Sequence, residues 1–192
     1  QVVWAGTYND GLYRIDKKTL QVEAYVIPEV DRSDGWIFTM AIDDKDQLWI
    51  GGINRPVQRV SKTGETTNFG ISQTKVIIPS KAGGVWVAGR SGLHRIKDGL
   101  PETITALTPS EDGFRYTTIN SLLERENGEL LVVTNGAGVI FYNPENQQTS
   151  RLDMRNGLPS YIIQGILTET EDLLWLSTTK GLVRVQLTPD TS

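Results

Sequence analysis

The sequence predicts an all-β fold, a β-propeller built of four-stranded antiparallel blades. Three observations predict it. A two-strand phrase recurs five times along the 192 residues. No segment keeps a helical 3.6-residue period for three turns. Short β-branched and aromatic runs alternate with Gly, Asn, Asp and Ser clusters, the pattern of strands joined by tight turns.

The copies are VWAGTYNDGLYRI (3–15), LWIGGINRPVQRV (48–60), VWVAGRSGLHRI (85–96), LVVTNGAGVIFY (131–142) and LWLSTTKGLVRV (174–185). One column holds Trp4, Trp49, Trp86, Val132 and Trp175, and a second holds Arg14, Arg59, Arg95, Phe141 and Arg184. Each copy reads as two strands around a turn. An apolar stretch precedes each later copy: WIFTMAI (36–42), KVIIP (75–79), TTINSLL (117–123) and YIIQGIL (161–167). It joins the phrase through the polar turns DDKDQ, SKAGG, ERENGE and TETED. A fourth, more polar strand follows, as in QVEAYVI (21–27) and ETTNFG (65–70). Four strands per unit of about 40–45 residues is the propeller signature.

The approximate blades are 1–30, 31–70, 71–109, 110–152 and 153–192, the first and last incomplete. Because blades stack face to face, their middle strands are apolar on both sides, and the tryptophans Trp4, Trp49, Trp86 and Trp175 are expected to fill the gaps between neighbours. Gly6, Gly51 and Gly89 stand where a side chain would crowd the strand end. Asp34–Gly35, Asp112–Gly113, Asn127–Gly128, Asn135–Gly136 and Asn156–Gly157 supply the positive φ of tight connections.

Composition excludes several classes. The net charge of −4 argues against nucleic acid and anionic membranes as partners. No apolar run approaches the roughly 20 residues of a transmembrane helix, and no signal peptide is read at the start. The chain opens on QVVWAG, itself a strand, so an upstream part is expected. Without Cys there is no disulfide or thiolate chemistry. The absence of Cys also fits an exported bacterial domain.

The segment NGLPSYIIQGILTETEDLLWLSTTKGLVRV (156–185) resembles the repeat of two-component regulator propellers: Gly-Leu-Pro-Ser, an Ile/Val strand, an acidic turn, Leu-Trp-Ile-Gly-Thr, then Gly-Leu-x-Arg. DGWIFTMAIDDKDQLWIGG (34–52) carries the same pattern without the Leu-Pro, the third copy is shortened, and the fourth has Val132 and Phe141 in the Trp and Arg columns. The resemblance implies a sensor segment from the extracytoplasmic part of a bacterial hybrid histidine kinase, or one lying ahead of a diguanylate cyclase module. It implies a periplasmic location within an inner-membrane protein and a carbohydrate signal. Such propellers usually have seven blades, so five copies imply a fragment of a larger ring or an arc closed by a second chain. A closed five-bladed ring is the other arrangement.

A feature present in every blade serves stacking, whereas a single ligand needs features peculiar to certain blades. The Trp set is therefore structural. The set Arg14, Arg59, Arg95 and Arg184 is also read as structural, the other reading being a basic ring facing anionic sugars. Ligand-binding candidates lie on two loop classes expected at one end of the ring. The first carries Tyr8, Asn9, Arg55, Arg90 and Asn135; the second carries Trp36, Arg115, Tyr116 and Tyr161. Ring faces suit sugar CH groups, and planar donors suit hydroxyls or carboxylates. Trp36 and Tyr116 rank first as bulky residues in place of small ones.

Enzyme chemistry is not expected, and neither is a cofactor. His94 is the only histidine and falls on a strand, and one His cannot build a multi-His metal site. DDKD (43–46) lacks EF-hand spacing and suits a hairpin turn better than calcium. A lyase of the streptogramin-inactivating type, which needs magnesium and a catalytic His, is the weaker alternative. A protein-interaction propeller without small ligand is the stronger one.

Overall fold

In the computed structural model, residues 2–8, 10–27, 36–107 and 116–188 are described. They form five antiparallel sheets and two short 3-10 turns. The first sheet comprises β1 (Val2–Gly6), β2 (Leu12–Asp16) and β3 (Val22–Tyr25). The second comprises β4 (Thr39–Ile42), β5 (Leu48–Gly51), β6 (Gln58–Val60) and β7 (Thr66–Asn68). The third comprises β8 (Thr74–Pro79), β9 (Val85–Gly89), β10 (Gly92–Lys97) and β11 (Leu100–Thr103). The fourth comprises β12 (Ile119–Glu124), β13 (Leu130–Thr134), β14 (Val139–Tyr142) and β15 (Thr149–Leu152). The fifth comprises β16 (Ile163–Thr170), β17 (Leu173–Thr178) and β18 (Gly181–Gln186). Each sheet is a meander, and the strands β4, β8, β12 and β16 lie side by side in succession along the inner edge. These sheets are propeller blades.

Each blade turns one face forward onto the next. Trp49 packs with Val57, Ile77, Val85, Val87 and Ile96, between the second and third sheets. Trp86 packs with Leu130, Val132, Ile140 and Tyr142, between the third and fourth. Leu131, Val133 and Phe141 meet Ile163, Leu174 and Leu176, between the fourth and fifth. Trp4 and Tyr25 lean on Leu48, Ile50 and Val60, between the first and second. Trp49 and Trp86 are sealed, at 2% and 1% exposure. Trp175 points forward from the fifth sheet and is half-buried, with Leu167 and Leu182 exposed beside it.

The arginine column is a set of lids on these indoles. Trp49 stands opposite Arg59, Trp86 opposite Arg95 and Trp175 opposite Arg184. The guanidinium carbons lie 5.8, 5.1 and 5.9 Å from the respective ring centroids. Such cation–π contacts contribute about 0.5–1 kcal/mol when exposed. Each of these three arginines lies over the indole of its own blade, a different geometry from a basic ring around a shared ligand.

In the fourth copy the register differs from the sequence alignment. Leu131, not Val132, stands opposite Phe141 and faces forward; Val132 faces back onto Trp86. Side chains alternate faces along a strand, so an offset of one residue reverses the side. Gly6 and Gly89 stand where a side chain would clash, and Gly128, Gly136 and Gly157 have positive φ, while Gly35 and Gly113 lie outside the described residues. A Cβ on Gly89 would fall 2.0 Å from the Gln73 carbonyl oxygen, and one on Gly6 would fall 2.4 Å from Ile37 Cγ2.

The entry to the fifth blade is held by Asp153, which is completely enclosed. Its Oδ1 accepts from the Arg155 amide at 2.8 Å, and its Oδ2 meets Arg151 Nε at 2.9 Å and Arg155 Nη2 at 2.8 Å. Its own amide donates to Asn156 Oδ1 at 3.0 Å, closing a capping box on the turn Met154–Asn156. Gly157 ends that turn with φ of 98°, a conformation that favours glycine. The hydrogen bonds from Arg155 hold the Asp153 carboxyl below its ordinary value. A group lowered in the folded state stabilises above its unfolded pKa and loses that contribution as pH falls through the folded value. Asp153→Ala is therefore expected to lower the free energy of urea unfolding at pH 7, by about 1 kcal/mol for the cap alone. The gap from the parent chain should narrow as the pH is lowered below about 3.9, the ordinary Asp value. An equal gap at pH 7 and at pH 3 would contradict this role.

Candidate functional site

Two loop classes meet at one rim of the blades, and backbone hydrogen bonds stitch them together. The amide of Ile37, entering the second blade, donates to the Thr7 carbonyl of the β1–β2 turn at 3.3 Å. Gln73 N donates to Ile53 O at 3.1 Å, and Thr117 N donates to Asn135 O at 3.0 Å. Gly136 N and Gly138 N both donate to Tyr161 O, at 3.1 and 2.9 Å. Each turn between the second and third strands is thus clasped to a segment entering a blade.

The first of these clasps carries exposed aromatic surface. Tyr8 lies on Trp36 with ring centroids 3.9 Å apart and planes inclined by 22°. Phe38 continues the group, 6.0 Å from Trp36. Tyr8 is 55% exposed and Phe38 48%, with Trp36 half-buried between them. The local sequence builds this geometry. Thr7 Oγ1 donates to Gly11 O and accepts from Asp10 N, both at 2.9 Å, which fixes the turn bearing Tyr8. Gly11 has φ of 83°, where a side chain would strain the turn. Across the rim, the Trp36 carbonyl presses on Gly52, where a Cβ would stand 1.7 Å from it. A stacked aromatic pair of this kind contributes about 0.5–1.5 kcal/mol beyond area burial.

The remaining sequence candidates divide. Arg90 is exposed on the β9–β10 turn, and Tyr161, 40% exposed, sits beside half-buried Asn135 through the Asn135–Ile162 bridge. Asn9 and Arg115 lie outside the described residues. Two candidates are corrected. Tyr116 is 5% exposed, belongs to the core between the third and fourth blades, and donates its hydroxyl to the Leu107 carbonyl. Burial pushes that hydroxyl well above the ordinary tyrosine value. Its ring packs and offers no face to a ligand. Arg55 is 2% exposed, enclosed beneath the same rim rather than displayed on it. Phe38, which the sequence reading passed over, joins the rim because its strand begins one residue later, at Thr39.

The other polar groups are committed to structure. His94 is buried, with Nδ1 3.1 Å from Thr103 Oγ1 and Nε2 3.1 Å from Ser91 Oγ. Burial lowers its pKa. Asp43 Oδ1 accepts from Lys45 N and Gln47 N, and Asp46 pairs with Lys62 at 2.7 Å. Among the described residues, no group of three or more His, Cys, Asp or Glu is arranged to hold a metal ion.

No family model matches the chain, and no curated protein sequence matches it. Solved structures do. An extracellular domain assigned to a hybrid two component system of B. thetaiotaomicron superposes with a TM-score of 0.75 at 17% identity, over 96% of this chain and 25% of its own. PorZ, a bacterial surface component of the type-IX secretion system of Porphyromonas gingivalis, gives 0.74 at 15% identity, over 96% of this chain and 30% of its own. A β-propeller domain from Myceliophteria thermophila gives 0.69 at 13% identity, over 100% of this chain and 63% of its own. At these identities the likeness shows the β-propeller fold. The chain spans less than two thirds of each of these structures.

Removing either tyrosine separates rim from core. Tyr8→Ala is expected to raise acrylamide quenching of the tryptophan emission while shifting stability by under about 1.5 kcal/mol. Tyr116→Ala should cost roughly 3–5 kcal/mol, the range for a large aromatic core side chain. Similar urea midpoints for the two variants would contradict this division.

Proposed function

We propose that this chain is part of the extracytoplasmic sensor propeller of a bacterial two-component signalling protein, and that the Tyr8–Trp36–Phe38 rim receives a carbohydrate. The aromatic stack carries the reading. Trp49 and Trp86 are used up between blades, whereas Trp36 lies on an entry loop with its neighbours exposed. Flat aromatic surface at a rim suits the CH faces of a sugar ring. Arg90, Asn135 and Tyr161 extend the same rim with a cation, an amide and a phenol; Asn9 and Arg115 are proposed contacts of the same kind. The arc forms a segment of a larger periplasmic propeller. Its output is transmitted as a coupling free energy, ligand contacts biasing how two ectodomains pack.

A second reading has its own observation. On the forward face of the fifth blade, Trp175, Leu167 and Leu182 surround an open depression of about 480 Å³. Apolar surface of this kind marks interaction sites, which suits a propeller whose partner is protein alone. Neither reading involves catalysis. Among the described residues no helix is long and apolar enough to cross a membrane.

Calorimetric titration with host-glycan and plant-polysaccharide fragments distinguishes the two. The sensor reading expects saturable binding that Trp36→Ala abolishes while leaving the free energy of urea unfolding within about 1.5 kcal/mol. Absence of binding to any fragment, together with a stable dimer, would favour the interaction module. Binding unaffected by Trp36→Ala would move the site away from this rim.

A further inference from the structure

Near the start of the innermost strand, three blades carry one residue that drops out of the ladder. On β8 it is Lys75, between the pairs Thr74–Gly89 and Val76–Ala88. On β12 it is Asn120, between Ile119–Thr134 and Ser121–Val133. On β16 it is Gln164, between Ile163–Thr178 and Gly165–Ser177. Phe38 holds the same place in the second blade. It precedes Thr39, which pairs with Gly51, two residues beyond Trp49, as Val76 pairs with Ala88, two beyond Trp86. A bulge re-aims the side chain it carries. Because β4, β8, β12 and β16 lie side by side, these four residues form a row along the inner edge of the rim. The positions are equivalent and the residues differ, which is what a single ligand needs from repeated blades.

Hydrogen bonds link the row. Lys75 Nζ donates to Asn120 Oδ1 at 3.0 Å, and Asn120 Nδ2 donates to the Ile163 carbonyl, next to Gln164, at 2.7 Å. Asn120 thus holds the ammonium from one side and is itself anchored to the following blade. At the other end of the same two blades, Lys81 pairs with Glu126, so that cation is neutralised. At Lys75 the partner is an amide, and the charge stays uncompensated. Arg90 adds a second cation: it is exposed on the turn whose amide donates to Gln73 O at 3.0 Å, two residues before Lys75. Among the described residues neither Lys75 nor Arg90 makes an ion pair. Phe38, 48% exposed, stands one strand away, where Ile77 N donates to Thr39 Oγ1 at 2.9 Å and ties β8 to β4. An aromatic platform on one blade therefore adjoins a free positive charge on the next.

We propose that the ligand of this rim is an acidic saccharide and that Lys75 receives its negative charge. The inference rests on the sensor reading for the sugar and adds its class, one bearing a carboxylate or a sulfate ester. Phe38 and Trp36 lie against the sugar ring, Lys75 donates to the anionic oxygen, and Gln164 offers an exposed amide further along the row. Hydrogen bonds to an ionised acceptor are roughly twice as strong as neutral ones, so the anion is the group that fixes the sugar's orientation.

The test is calorimetry on the full chain with matched pairs of fragments. Oligogalacturonide and hyaluronan fragments are each set beside their carboxyl-reduced forms, and sulfated galactan fragments beside their desulfated forms. An acidic member is expected to bind roughly tenfold more tightly than its neutral counterpart, a difference of about 1.4 kcal/mol. The pair that shows the difference tells carboxylate from sulfate. Lys75→Met should weaken the acidic member to the level of the neutral one, whereas Lys180→Met, at an exposed lysine on the β17–β18 turn, should keep the preference. Equal affinity within every pair, or a preference that survives Lys75→Met, would overturn the proposal and leave the aromatic rim standing. Acidic binding that Trp36→Ala leaves untouched and Lys75→Met abolishes would sustain the charge site and remove the aromatic stack from the reading. No binding of any fragment would overturn both.

Discussion

The structure depends on one constraint: a large indole on the second strand of a blade must be covered by the sheet that follows. A planar side chain of that size leaves a gap no smaller residue fills, and interiors are packed to crystal-like density. The rest of the blade is arranged around it. An arginine on the third strand lies over the ring, and a residue two further along the same forward face closes the outer end: Tyr25, Phe69, Ile104 and Leu152 in successive blades. Phe69 stacks on Trp49 at 5.1 Å. Beneath the ring an acid at the end of the innermost strand accepts a hydrogen bond from the indole N–H where one is present. Where the fourth blade has Leu131 instead of tryptophan, Arg125 occupies the acid's place and reaches Glu171 and Asp172 of the next blade. There the charged side chain reaches across to the next blade instead of to the indole of its own.

Because the faces are used for stacking, freedom for recognition is left to the rims. The turns there are short and are clasped to the entry segments by backbone hydrogen bonds, so side chains on them are held in fixed positions rather than carried on long loops. Preorganisation of that kind lowers the entropy lost on binding. It also explains why a single substitution pattern, Tyr8 with Trp36, gives one blade junction an aromatic surface while its neighbours present polar atoms.

The Trp and Arg columns were legible because they repeat at near-constant spacing and because strand pairing places them opposite one another. What was not legible required register. Val132 could not be told from Leu131 in a run of apolar residues, since alternation is hidden when both faces are buried. Tyr116 and Arg55 looked like rim residues because they fall on connections, but a connection has a lower side: Tyr116 packs into the core, and Arg55 is enclosed. Phe38 was hidden by the opposite error, an entry segment read as strand. The acid six residues before the tryptophan was visible as an acidic turn, but its pairing with the indole follows from the hairpin geometry and not from composition.

Comparing two alanine substitutions in urea unfolding tests the stacking constraint most directly. Trp86 is enclosed by the following blade and its N–H is unpaired, so its contribution is packing together with the Arg95 cation–π contact. Trp175 projects from the same strand position with no following blade over it among the described residues. The account predicts a loss of roughly 3–5 kcal/mol for Trp86→Ala and under about 1 kcal/mol for Trp175→Ala, the ordinary range for a surface change with one hydrogen bond lost. Equal losses at the two positions would contradict it, because the indole would then owe its contribution to its own sheet and not to the next one.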